Sequence, residues 1–465
     1  MEIEAAQKYV DELVARSKAA QKKIRNYNQK QVDRLVRICG KAIYDHAEEL
    51  AAEAVEEGGL GNAADKIGKM KNSTSVAYQF LKDKKTVGII GYDEELHIAD
   101  VAKPIGVIGC LIPSTNPTST VGGNGMYALK CRDSIIFSVH PRTKNVSVKA
   151  VNLVREALKA AGEPEDLFIV IEEPSMESTN ALMQKADVVV ATGGPAMVKA
   201  AYSSGRPSYG VGQGNVQVII DEDCQEDYEY IAKETVNSRC RDNGLPCTGE
   251  QFIAFPLKDE EEVLAAFDKA GAYVVRDEET AAKIRNGLFQ LTPKGKYAFN
   301  ICNVGQDVYK IAKNIGIEIP EGKKSILVKV KSVGKEELLC KEKLCPVEAC
   351  MGYNTFDEGM EYIMKNLEME GMGHSAVIYS HNEKHIERAG IELPVSRLIV
   401  NACGSTAGGN TLANGLAPTM SLGCGSWGNN SISENLSYKH LMNVTKITYK
   451  IDDVVIPSNE EIWAE

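Results

Sequence analysis

From about residue 101 onward, short runs of β-branched and aliphatic residues alternate with stretches of helical period. This alternation constrains the fold more than any other feature of the sequence. The runs cover 105–112, 134–139, 167–171, 187–191 and 216–220, and helical stretches at 145–161 and 195–203 fall between them. Buried strands separated by helices are the mark of βαβ units and a parallel sheet. A second alternating region spans 251–404, with strands expected near 251–255, 325–330, 376–379 and 397–401. The expected fold class is α/β.

The two ends read differently. Residues 4–57 are helical in pattern: Val10, Leu13 and Val14 recur at helical spacing, as do Val32, Leu35, Val36 and Ile43. Gly58, Gly59 and Gly61 break that region, and a strand is expected at 86–91. From 441 the tail reads as a strand, Asn443 to Tyr449, followed by an extended segment containing Pro457. That strand has two possible partners, a strand of its own chain or one of a neighbouring subunit.

A chain of 465 residues can build two or three domains with sizeable cores. Its formal net charge of −11, with both signs mixed along the chain, argues against nucleic acid or an anionic membrane as the main partner. The N-terminus lacks a basic stretch followed by an apolar one, and no apolar run approaches the length of a membrane span. Twelve scattered cysteines then read as reduced thiols of a cytoplasmic protein. Cys340, Cys345 and Cys350 lie five residues apart with no histidine close by, which is not a ligand spacing for zinc, so no metal is expected.

Four loops hold groups with chemical potential. Cys247 follows Asn243, Gly244 and Pro246, a turn rather than an apolar strand or helix, and loops on a rigid scaffold are where catalytic groups concentrate. Asn116 directly follows the strand ending at Ile112 and Pro113, at the carboxyl edge where parallel sheets bind ligands; its amide is a candidate oxyanion donor. Thr192, Gly193 and Gly194 stand between a strand and a helix, where backbone N–H groups can approach a phosphate. A further glycine-rich turn, 210–215, contains Gly212. A cysteine, an amide donor and a phosphate-binding turn suit thiolate attack on a carbonyl followed by hydride transfer.

Six collinear segments carry a family likeness: 114–118, 137–142, 191–194, 242–247, 342–347 and 422–435. Together they resemble the CoA-acylating branch of the aldehyde dehydrogenase superfamily, over nearly the whole chain. The resemblance implies an aldehyde-dehydrogenase-like fold with three parts. A Rossmann-type cofactor domain covers 1–222 and is completed by about 405–432. An α/β catalytic domain carrying Cys247 covers 223–404. Oligomerisation strands lie at about 84–103 and 433–465, in a homodimer or homotetramer.

The same resemblance implies roles. Cys247 would be the nucleophile, and Asn116 with the Cys247 backbone N–H would hold the oxyanion. Ile112, Pro113, Thr192, Gly193, Gly194 and Gly212 would line the cofactor site. His140, Pro141 and Arg142 would contact the adenosine ribose, and Glu342 the nicotinamide ribose. Hydrolytic members activate water with a glutamate where this chain has Gly-Val-Gly-Gln-Gly-Asn at 210–215. Without that base, CoA would take the acyl group from the enzyme thioester. His374 matches a position typical of the acylating branch, either for CoA or proton handling or as a structural turn histidine.

Within that branch, 82–90, 340–347 and 460–463 resemble CoA-dependent succinate-semialdehyde dehydrogenases, whereas Thr118–Thr120 and Leu245-Pro246 resemble acetaldehyde-type enzymes. Arg239 and Arg241, just before Cys247, suggest an anionic aldehyde, succinate semialdehyde or sulfoacetaldehyde. Arg142 and Lys144, with no acid beside them, favour NADP while leaving NAD open. The rival expectations are an acetaldehyde-type acylating enzyme, a hydrolytic enzyme using another base and an inactive scaffold relative.

Overall fold

The computed structural model describes residues 2–464. Two separate parallel sheets carry the fold. The first has five strands in the order Phe168–Ile171, Ser134–Ser138, Val107–Leu111, Val188–Thr192, Ser208–Val211, every neighbouring pair parallel. Strand order reverses direction beside Val107–Leu111. The chain leaves Val107–Leu111 toward Asn116 and leaves the adjacent Val188–Thr192 at Thr192, so both loops open at the switch point where such sheets bind ligands.

The second sheet has seven parallel strands in the order Ala272–Val275, Ser325–Lys329, Val347–Tyr353, Glu250–Pro256, Val216–Ile220, Gly373–Tyr379, Val395–Val400. Val216–Ile220 lies inside it, between Glu250–Pro256 and Gly373–Tyr379. The boundary expected at 222 is therefore one strand too late, and the chain passes between the sheets at 212–215. Periodicity could not reveal this, because a buried parallel strand is apolar on both faces in either sheet.

Four helices, Ile3–Ile24, Gln29–Asp45, Ala47–Gly58 and Ala63–Leu81, pack beside the first sheet. Gly58 ends the third and Gly59 caps it at φ 61°, as the glycine break anticipated. The fourth escapes the periodicity analysis because its hidden face is polar, with Lys66, Lys69, Ser73 and Thr74 all buried. Asn62 starts that helix by accepting from the Asp65 N–H at 2.9 Å.

The tail strand Met442–Thr448 pairs antiparallel with Ile98–Pro104 of its own chain, completing a three-stranded sheet with Gly88–Asp93. It is an edge strand with its residues largely exposed, and Val455, Ile456 and Trp463 beyond it are at least 80% exposed. Cys340, Cys345 and Cys350 are all buried in the apolar cores. Among the described residues no helix is long and apolar enough to cross a membrane.

Candidate active site

Cys247 owes its place to a strained turn. The helix Tyr228–Cys240 ends, and Asp242 (φ 49°), Asn243 (φ 53°) and Gly244 (φ 76°) follow in the left-handed region. Asp and Asn tolerate that conformation better than other non-glycine residues, and buried neighbours hold the turn. The Asp242 carboxylate, fully buried, accepts from Lys66 at 3.0 Å, Lys69 at 2.6 Å and the Asn62 N–H at 3.1 Å. Gly61 makes room for it: a Cβ there would stand 1.8 Å from Asp242 Oδ1. Burial alone would raise the Asp242 pKa, but the two lysines outweigh it and bring the group below the usual carboxylate range.

Arg239 is the other clamp. Its Nε donates to the Cys345 carbonyl at 2.9 Å, and its terminal nitrogens donate to the carbonyls of Gly244, Gly249, Glu250 and Lys343. A guanidinium has five donors, and all five are engaged with main chain. The side chain is fully buried. The expectation that Arg239 handles substrate or CoA is thus wrong. Helical spacing turns it inward, away from the cleft, where it ties the Cys247 turn to the segment bearing Glu342.

Arg241 faces the other way. It lines the same pocket as Cys247, Asn116 and Lys69, and donates to Thr406 Oγ1 at 3.1 Å. Asn116 enters this pocket with its carbonyl already taken: Lys69 Nζ donates to Asn116 Oδ1 at 2.8 Å. Cys247 lines the same pocket. Burial, reinforced by the charge of Glu342, pushes the Cys247 thiol up to about 12, with Arg397 opposing.

Glu342 meets Cys247 through the glycine loop. Gly214 N–H donates to Glu342 Oε1 at 3.2 Å, and a Cβ on Gly214 would fall 2.2 Å from the Cys247 carbonyl oxygen. Only glycine fits there. Burial, then the charge of Glu370, pushes the Glu342 carboxyl up to about 8. Gly212 runs past Cys424, with its virtual Cβ 3.7 Å from the sulfur.

His374 is fully buried at the start of the strand Gly373–Tyr379. Neither ring nitrogen has a hydrogen-bond partner among the described residues. Burial and the nearby Arg397 hold it well below the ordinary imidazole range, so it is neutral. Its carbonyl accepts from Arg397, whose remaining nitrogens reach Ser375, Gly423 and Asn435. Arg397, Lys69 and Asp242 escaped the sequence reading. Only Arg397 carried a signal, as a cation inside the apolar run 395–400.

At the sheet edge, Ile112 N–H donates to the Ser138 carbonyl at 2.9 Å, which places Pro113 at the rim. Thr192 Oγ1 is 3.2 Å from Ser421 Oγ. Gly194 is the N-cap of the helix Pro195–Tyr202 and faces open space. His140 Nδ1 accepts from Arg142 N–H at 3.1 Å, in the turn containing Pro141. Arg142 Nε donates to the Gly58 carbonyl at 2.7 Å, leaving its terminal nitrogens free among the described residues. Lys144 is paired with Glu173 at 2.9 Å.

The site thus joins a loop cysteine, an amide on the same pocket, a helix start at a sheet switch point and a buried carboxylate. The aldehyde dehydrogenase family profile matches residues 2–283. An acetylating succinate-semialdehyde dehydrogenase from Clostridium kluyveri is 47% identical over 454 residues, covering 98% of each chain. The chain belongs to the aldehyde dehydrogenase family. A sulfoacetaldehyde dehydrogenase from an Acholeplasma species is 38% identical, covering 97% of this aldehyde dehydrogenase and 93% of the relative. Among solved structures, an acetylating aldehyde dehydrogenase from Geobacillus thermoglucosidasius superposes with a TM-score of 0.91 at 36% identity, covering 98% and 99% of the two chains.

Proposed function

We propose that this aldehyde dehydrogenase is CoA-acylating, converting a short anionic aldehyde, CoA and NAD(P)+ reversibly to an acyl-CoA and NAD(P)H. The observation that carries the reading is the loop 210–215. It lies against the Cys247 backbone and contains no carboxylate. Water near the Cys247 acyl group therefore lacks a base on that loop, whereas CoA brings a sulfur nucleophile of its own. The relatives named above as acetylating support the same class.

The chain's own groups have distinct tasks. Cys247 Sγ attacks the aldehyde carbon, and Asn116 Nδ2–H with the Cys247 backbone N–H takes the developing oxyanion. NAD(P)+, when bound, supplies the hydride acceptor. As the oxyanion collapses and the carbon loses its hydride, with the thiol proton passing to solvent, Cys247 is left as a thioester; CoA sulfur attacks that carbonyl, the Cys247 thiolate is expelled from acyl-CoA, and the CoA thiol proton restores the Cys247 thiol. Gly194 and Thr192 suit the pyrophosphate at a helix start. Glu342, buried with Gly214 N–H as its donor, suits a ribose hydroxyl. Arg142, whose terminal nitrogens are free among the described residues, suits a 2′-phosphate. Lys144 already serves Glu173, so NADP is favoured by one cation and NAD remains open.

Arg241 on the Cys247 pocket supports an anionic aldehyde. Succinate semialdehyde and sulfoacetaldehyde, the aldehydes in the names of the two relatives, both carry such a group. The exposed edge strand Met442–Thr448 and the apolar tail beyond it support a homo-oligomer, a dimer or tetramer. Twelve free cysteines support a reducing, cytoplasmic setting.

One observation favours hydrolysis instead. Glu342, with its carboxyl pushed up to about 8, accepts from the N–H of Gly214, which packs on the Cys247 backbone, and is a carboxyl base outside the loop itself. Turnover of succinate semialdehyde, sulfoacetaldehyde and acetaldehyde with and without CoA separates the two. An acylating enzyme loses nearly all steady-state turnover when CoA is omitted; unchanged turnover would establish hydrolysis. A preference for acetaldehyde in kcat/KM would remove the anionic assignment.

A further inference from the structure

The Asn116 amide can serve as a donor only if its nitrogen, and not its oxygen, faces the pocket. The two ends of an amide are nearly equal in size, so packing does not choose between them. Here chemistry chooses. Lys69 Nζ stands 2.8 Å from Asn116 Oδ1, and an ammonium has donors and no acceptor, so the flipped amide would set N–H against N–H.

Lys69 is itself fixed. Its Nζ also donates to Asp242 Oδ2 at 2.6 Å, and both side chains are buried. Asp242 is held by Lys66 at 3.0 Å and by the Asn62 N–H, while its own N–H donates to Asp65 at 2.7 Å. Asp242 belongs to the left-handed turn five residues before Cys247. The same carboxylate therefore sets both the turn that carries the cysteine and the lysine that turns the amide.

We infer that Lys69 is a positioning residue for the carbonyl-activating step: held by Asp242, it locks Asn116 with its N–H2 toward the substrate. This rests on the oxyanion role proposed for Asn116. It predicts that Lys69 acts on kcat through Asn116, without contacting the aldehyde's anionic group.

A double-mutant comparison tests this with the full chain, CoA and NADP+ present, using succinate semialdehyde and acetaldehyde. Asn116→Ala is expected to lower kcat about 10²-fold, as loss of one oxyanion donor does. Lys69→Met is expected to lower kcat tenfold or more with both aldehydes. Lys69→Met added to Asn116→Ala is expected to lower it no further. Lys69→Arg, which keeps a cationic donor, is expected to recover most of the loss. Asn116→Asp, which keeps the acceptor for Lys69 but has no N–H, is expected to keep the melting temperature and fall to the alanine level. If Lys69→Met does not fold, Lys69→Gln, whose amide accepts as well as donates and so no longer selects the Asn116 orientation, is expected to show the kcat loss, and full activity in it would overturn the inference.

Multiplying losses in the double variant would overturn the inference, as would a rise in KM confined to succinate semialdehyde or full activity in Lys69→Met. Normal kcat in Asn116→Ala would overturn the oxyanion reading itself, and the inference with it.

Discussion

The carbonyl oxygen of Cys247 lies 2.2 Å from where a Cβ on Gly214 would be, so the loop between the two sheets rests directly on the cysteine backbone. Gly214→Ala has no side-chain end to move aside, and the Cys247 main chain must shift. A displacement of about 1 Å at a reacting group costs on the order of 10²-fold in rate. The expected result is a kcat loss of that size with a lesser effect on melting temperature. Steady-state kinetics and thermal melts check it.

Cys247 should be a sluggish nucleophile in the cofactor-free enzyme. Burial and the Glu342 charge push its thiol up to about 12, so the thiolate fraction grows about tenfold per pH unit through the neutral range. Iodoacetamide inactivation, followed as loss of activity because Cys302 is exposed, should therefore keep accelerating from pH 7 to 10. A plateau below pH 9 would contradict this placement.

Glu342 should weaken the fold as pH rises. Its carboxyl is pushed from an ordinary value of 4.5 up to about 8 by burial and by Glu370. The folded state therefore holds the proton more tightly than the unfolded chain does. Stability contributed by the protonated group is complete below about 4.5, falls between 4.5 and 8, and stays low above 8. Glu342→Gln, a permanent neutral mimic, should melt higher than the parent at pH 8.5 and equally at pH 4.5, while raising KM for the nicotinamide cofactor. Melting curves at the two pH values check the sign.

The two arginines before Cys247 should part company. Arg239→Met strips five carbonyls of their donor and should cost about 3 kcal/mol or more. That loss would register in denaturant unfolding or as insoluble protein. Arg241→Ala should leave stability within about 0.5 kcal/mol, as for a partly exposed surface group, and raise KM for the anionic aldehydes more than for acetaldehyde. Equal effects of Arg241→Ala on all aldehydes would remove its proposed role in recognition.

Local pattern determined a good deal. The β-branched runs at 105–112, 134–139, 167–171 and 187–191 read as buried strands of a parallel sheet from their composition and from their alternation with helical stretches at 145–161 and 195–203. The glycines at 58, 59 and 61 and the loop setting of Cys247 were equally legible, since each depends only on neighbouring residues, whereas the missing carboxylate at 210–215 acquired its meaning from the family resemblance.

Tertiary structure decided the rest. It assigned Val216–Ile220 to the second sheet, turned Arg239 inward and Arg241 outward, and brought Lys69 from residue 69 to Asn116 and Asp242. The physical reason is common to all three. An apolar strand is compatible with either sheet, and a lysine or arginine with either core or surface. Which outcome wins depends on partners that packing brings together, among them Gly373–Tyr379 for Val216–Ile220, Cys345 for Arg239 and Asp242 for Lys69, and not on local period.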